Sequence, residues 1–256
     1  MSQAPGLEGG FDWAVEFRPF TAFHWVTSGA CAAAMGASSW LGARWRGTVK
    51  ERRLRLVWVW YALAVQITAL GFFLRPPIDW KVGLPFHICD IAGWIACFAL
   101  LTQKRWLRVI LYYWGIGLST QAFLTPILRG EGSGYASVYY WAFWLQHLTI
   151  VGSAVYDVTV LRYRPTWRDW RMAVSLSASW VAVMFVFNGV FDTNYVFVGP
   201  SRPENPTLID KLGPYPWRVL WLSGIVTAGF AVFTAAWPSA WRRDGAARGP
   251  DVPAID

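Results

Sequence analysis

Residues Val138–Leu161 read VYYWAFWLQHLTIVGSAVYDVTVL, an apolar and aromatic run whose one charged side chain is Asp157. As a helix, a run of this length rises about 36 Å, at about 1.5 Å per residue, enough to cross a hydrocarbon core of about 30 Å. Working outward, six further windows have the same character: Thr21–Leu41, Leu56–Leu74, Val82–Thr102, Val109–Leu128, Met172–Phe191 and Val219–Trp237. The composition agrees, with 55% hydrophobic residues, 18% aromatic residues, 19 tryptophans in 256 positions and a mean hydropathy of +0.31. Inside a bilayer the backbone must satisfy its own hydrogen bonds, which helices do. The predicted fold class is therefore all-α, a polytopic membrane protein with seven transmembrane helices.

Orientation follows from where the cations fall. The segments 44–55, 104–108, 162–171 and 242–248 hold sixteen of the 23 lysines and arginines. The alternate connections hold the other seven: Arg18, Arg75, Lys81, Arg129, Arg202, Lys211 and Arg218. The bias predicts an N-out, C-in topology in the inner (plasma) membrane. Residues 1–20 are expected to form an extracytoplasmic N-terminus, residues 21–237 the seven-helix domain and residues 238–256 a disordered cytoplasmic tail. No signal peptide is expected, because Glu8, Asp12 and Glu16 interrupt the start and no basic stretch precedes an apolar one. The net charge of +8 reads as topology and attraction to anionic lipid, with no nucleic-acid partner implied.

Polar groups inside a bilayer are costly, about 2.5–3.5 kcal/mol for a charge on insertion scales, so each is a candidate for function. Counting inward from the outer end of each window, His24 and Asn188 fall roughly 5 Å deep, His87 roughly 8 Å, Cys89 and Gln121 roughly 10 Å, Asp90 roughly 12 Å and His147 roughly 13 Å. All lie in the outer half, which predicts a polar cavity open to the outer leaflet, with the Pro- and Gly-rich segment Asp192–Trp217 as its lid. On a helix through Val82–Thr102, His87 and Asp90 share a face while Cys89 points roughly 160° away from His87. Cys89 then needs a base from another helix, and His147 is the histidine at a similar depth. A cysteine beside a histidine is a nucleophile for acyl carbonyls, with Gln121, Thr120 and Asn188 as candidate donors to the pair or an oxyanion. Each residue also has a bland reading: His24 snorkelling toward headgroups, Asn188 and Gln121 as interhelical glue, Asp157 as an interfacial ion pair with Arg162 and Arg164. The remaining cysteines, Cys31 and Cys97, read as small apolar packing residues.

The segments LPFHICDIAGW (Leu84–Trp94), YYWGIGLSTQAFLTP (Tyr112–Pro126), FWLQHLTIV (Phe143–Val151), RPTWRDWR (Arg164–Arg171), DTNYVF (Asp192–Phe197) and LIDKLGPYPW (Leu208–Trp217) together resemble the bacterial YwaF-type integral membrane proteins. That family is similar to a eukaryotic transmembrane acyltransferase that moves polyunsaturated acyl chains into ether phospholipids using a cysteine and a histidine. The resemblance implies that Cys89 and His147 are that pair; His87, Asp90, Gln121 and Asn188 are expected, from their depth, to support them. It implies a lipid acyltransferase, or acyl hydrolase, whose partners are a membrane phospholipid and an acyl donor.

Two other classes fit parts of the pattern. A small-molecule transporter or receptor would also use an outer cavity. A seven-helix zinc hydrolase would need three histidines and an acid, which His24, His87, His147 and Asp90 could supply, but the chain lacks a pair of histidines one turn apart on one helix. No metal or cofactor is otherwise implied, since none of Lys50, Lys81, Lys104 and Lys211 falls inside a window to carry retinal. The acyl donor, the acceptor and the oligomeric state are not legible.

Overall fold

The run that opens the sequence reading becomes the central helix. The computed structural model describes residues 12–128, 130–202 and 207–238, and its long helices are α1 (Ala22–Arg44), α2 (Val49–Phe73), α3 (Ile88–Thr102), a composite α4, α5 (Val138–Thr159), α6 (Trp167–Phe191) and α7 (Trp217–Ala235). The composite α4 runs through an α-helical Arg105–Ile110, a π-helical Leu111–Ser119 and a last α-turn, Gln121–Leu124. Short 3₁₀ turns, Tyr195–Phe197 and Leu208–Leu212, lie between α6 and α7. Among the described residues there is no strand, only an isolated bridge between Glu16 and Glu131. The expected tail, apart from Pro238, lies outside the described residues, as do residues 1–11 and the loop cation Arg129.

Helix α5 buries 15 of its 22 residues and touches α1, α2, α3 and the π-helical part of α4. A helix apolar on every side belongs in a bundle's centre. The outer helices differ: in the apolar window of α6 only 11% of residues are buried, and Val183, Val186 and Val190 face outward. By length and composition, α2, α6 and α7 can each cross a membrane alone. In α1 and α5 the Ala, Gly and Ser or the Trp and Tyr content lowers the hydropathy, although 23 and 22 residues are long enough.

Helix starts follow their caps. Ser137 accepts from the Tyr139 amide (3.1 Å), and Thr166 and Asp169 form a reciprocal capping box. Helix α2 begins seven residues before its apolar window, because the helix continues through charged residues that a hydropathy window excludes. The third window requires correction. Val82–His87 is not helical; α3 starts at Ile88 and has 15 residues. Gly83 and Pro85 precede it, and a residue before proline is biased away from helical geometry. The π segment of α4 places Gly115 against α5, where a Cβ would lie 2.9 Å from the Cβ of Ala154, and Gly117 against Phe230 of α7.

The bundle end that carries the basic loops also holds a set of buried ion pairs. Arg108 donates to both carboxylate oxygens of Asp157, at 2.9 and 3.0 Å, and to the Leu161 carbonyl at 3.0 Å. Arg105 meets Asp169 at 2.5 Å, and Arg55 meets Glu51 at 3.3 Å, where Tyr156 also donates to Glu51 at 2.9 Å. The expected partner of Asp157 was Arg162 or Arg164; the ion pair instead crosses from α5 to α4.

Candidate functional site

At the opposite end, the turn into α3 collects most of the predicted site. His87 is the N-cap of α3, with extended backbone (φ −68°, ψ 151°), so it has no place on a helical face. Its backbone amide donates to Asp90 Oδ2 at 3.0 Å. Cys89 and Asp90 are thus the second and third residues of α3, where helix amides carry partial positive charge, rather than two to three turns into a span. The Cys89 thiol donates to Asp90 Oδ1 at 3.9 Å. Gln146 of α5 donates to the same oxygen at 3.3 Å and to Gln66 Oε1 of α2 at 3.2 Å. Gln66 is buried against Gly93, where any Cβ would collide with its amide. That close approach needs glycine.

Of these groups His87, Asp90, Gln66 and Gln146 form the polar lining of a cavity of about 70 Å³ walled by α2, the segment 82–87, α3 and α5, with Trp94, Phe73 and Leu84 among its apolar walls; neither Cys89 nor His147 is among its lining residues. Among the described residues Gln66 Nε2 has no hydrogen-bond partner. The buried carboxylates Glu51, Asp157 and Asp169 each lie against an arginine; among the described residues Asp90 has no cation beside it.

His147 is buried on α5 with Nδ1 at 2.7 Å from the Phe143 carbonyl. A carbonyl only accepts, so Nδ1 carries the proton and Nε2 of the neutral ring is left with its lone pair. Among the described residues no hydrogen bond joins His147 to Cys89. His24 is fully buried, and both ring nitrogens are engaged by backbone: Nδ1 accepts from Phe20 (3.1 Å) and Nε2 donates to the Phe123 carbonyl (3.0 Å). It is neither a snorkelling residue nor a free ligand. Among the described residues no three His, Cys, Asp or Glu side chains converge to hold a metal ion, and with His24 committed the three-histidine zinc set is not assembled.

Of the other supporting residues, Gln121 is exposed on the last turn of α4, away from the cavity. Asn188 is fully buried and organises the segment expected as a lid: its Nδ2 donates to the Tyr195 carbonyl (2.9 Å), and its Oδ1 accepts from the Thr193 hydroxyl (2.7 Å) and the Tyr195 amide (2.9 Å), although none of residues 192–217 lines the cavity. Tyr195 in turn donates to the Trp80 carbonyl and accepts from the Leu84 amide, and Val196 N–H reaches His87 Nδ1 at 3.4 Å. Val196 and Phe197 both sit at positive φ, 59° and 61°, an uncommon conformation for a β-branched residue and a strain that the surrounding contacts must hold. The far side of the lid is tied by Arg218, buried at the start of α7, to Asp210 (2.6 Å), Gly199 and Ser201. Partial burial pushes the Asp210 carboxyl up, but hydrogen bonds from Thr207 and Ser201 and the Arg218 charge outweigh it and hold the group below the usual carboxylate range.

Asn188→Ala should release this strap. Three hydrogen bonds at about 0.5–1.5 kcal/mol each amount to about 1.5–4.5 kcal/mol of docking, so amide exchange over 193–198 should accelerate while α5 stays protected. Unchanged exchange there would show that the lid is held by its aromatic packing alone.

The signals that sequence reasoning missed are Gln146 and Gln66. Gln146 adjoins His147 on a helix buried all round, so both can face partners, yet which helix each meets depends on packing. No curated protein and no solved structure matches this chain. A half-buried thiol beside a carboxylate, a polar cavity and a loop strapped by buried side chains occur within an all-helical, membrane-type chain, and across residues 19–234 the sequence fits one family of transmembrane proteins: it belongs to the TMEM164 family.

Proposed function

We propose that this protein is a membrane-embedded lipid acyltransferase, or an acyl hydrolase where water replaces the acceptor, that works through a thioester on Cys89. The observation that carries the reading is the contrast among the cysteines. Cys31 and Cys97 are buried in apolar clusters, while Cys89 is half-buried, sits at the positive end of a helix and meets a carboxylate. A thiol with a carboxylate in reach has an acceptor for its proton as the sulfur attacks. The resemblance to the YwaF-type proteins and their acyltransferase relatives supplies the reaction class. His147, with Nε2 unprotonated, serves as a base of the unit, and His87, Gln146 and Asn188 hold the architecture around it.

The same proposal includes seven spans in the plasma membrane, N-out and C-in, which sets the cavity at the outer leaflet at the depth of ester carbonyls. Substrates of that geometry are phospholipids that supply or accept an acyl chain.

The test is intact-protein mass spectrometry after incubation with phospholipid vesicles. The expected result is an acyl adduct that hydroxylamine removes and that Cys89→Ala lacks. An adduct that persists in Cys89→Ala would assign the nucleophile elsewhere.

A further inference from the structure

We infer that Asp90 is the catalytic base that takes the proton of Cys89, leaving His147 to serve the acceptor. The inference rests on the acyl-transfer reading and divides its steps between two residues. Three observations support it. Among the described residues the Cys89 thiol donates to the Asp90 carboxylate, Oδ1 at 3.9 Å, while the hydrogen bond of the His147 ring goes to Phe143. The carboxylate is held in place from the other side, because Oδ2 accepts from the His87 amide, so Oδ1 is presented to the thiol. Among the described residues no cation lies beside Asp90: the buried carboxylates Glu51, Asp157 and Asp169 each lie against an arginine, while Asp90 is held by the neutral His87 amide and Gln146. A carboxylate that an arginine holds is a poor proton acceptor, and one that a neutral amide holds is free to cycle. Gln66, on the cavity wall, is buried with its Nε2 unmatched among the described residues.

The steps balance. In acylation the S–H proton passes to Asp90 Oδ1, the Sγ–C bond forms at the ester carbonyl of the donor phospholipid, the ester C–O bond breaks, and the departing lysolipid oxygen takes the proton back from Oδ1. In discharge, the acceptor hydroxyl gives its proton to His147 Nε2, its oxygen attacks the thioester carbonyl, the S–C bond breaks, and the sulfur recovers a proton from His147.

Two measurements test this. The first follows the acyl adduct over time in phospholipid vesicles. Asp90→Asn, near-isosteric and able to accept from the His87 amide, should slow adduct formation by about 10²–10⁴-fold, the usual contribution of a general base. Asp90→Glu should recover part of it, and His147→Ala should acylate at the wild-type rate yet retain its adduct. The second follows alkylation of Cys89 by a membrane-soluble iodoacetamide without lipid, which should also slow in Asp90→Asn. If the Asn variant does not fold, Asp90→Ser takes its place, since its hydroxyl can still accept from His87. Acylation of the neutral variant at the wild-type rate would overturn the assignment, as would acylation lost in His147→Ala but kept in Asp90→Asn. If the wild type forms no adduct, alkylation decides alone: slower labelling in the neutral variant upholds Asp90 as proton acceptor while the acyl-transfer reading falls, and equal labelling removes both.

Discussion

Cys89→Ser should insert and fold like the wild type yet lose lipid turnover by on the order of 10³-fold or more, the scale on which removal of a nucleophile disables a catalytic unit. The substitution changes one atom at a half-buried position, so little packing is lost. What is lost is nucleophilicity, since a hydroxyl is far harder to ionise than a thiol at the same helix terminus. Adding His147→Ala to the serine variant should then cost almost nothing further, because residues of one reaction unit do not contribute additively. His87→Ala should have a smaller effect on the chemical step, since Asp90 is held by the His87 backbone amide and not by its ring. Phospholipid remodelling assayed in proteoliposomes, with melting temperature as the folding control, reads all four proteins. Undiminished remodelling by Cys89→Ser would remove the thioester from the reaction.

The largest effect on stability is expected at the other end of the bundle. Asp157→Ala leaves Arg108, whose side chain is 9% exposed, as a buried charge without its counterion, and breaking one partner of such a pair typically costs about 3–5 kcal/mol. In a chain of this size that lowers the melting temperature by roughly 10 °C. Replacing both partners with apolar residues, Arg108→Met with Asp157→Leu, should return most of the loss, because the pair must offset its own desolvation. Thermal unfolding in detergent checks both variants. If the double replacement were as unstable as Asp157→Ala, the bond from Arg108 to the Leu161 carbonyl would be the important one.

The apolar windows marked the helices because a bilayer demands length and hydropathy, and both are properties of a single segment. Partnership is a property of pairs of segments, and there the sequence was less informative. Asp157 has Arg162 and Arg164 close in the chain, but the packing of α4 against α5 delivers Arg108. A helical wheel drawn through Val82–Thr102 set His87 opposite Cys89, and it failed because Gly83 and Pro85 delay the helix to Ile88. The nearness of His87 to Asp90 survived, since a cap and its third residue meet whether or not the turn before them is helical. Glu51 and Arg55 carried an i, i+4 signal for a helix that a hydropathy threshold set aside. Gln121 and Asn188 looked alike as membrane amides, yet one faces outward and the other organises the lid.

The wide turn of α4 has a consequence for how this fold can vary. A π-helical stretch accommodates surplus chain inside a helix without breaking it, so in Leu111–Ser119 the number of residues, more than their identity, decides which side chains face α5 and which face α7. Adding one more residue there, beyond what the wide turn already absorbs, would swing Gln121–Leu124 by about 100°. Phe123, whose carbonyl holds His24, would rotate away from α1. Chains of this architecture should therefore tolerate exchanges of one apolar residue for another across 111–119 far better than a change in its length.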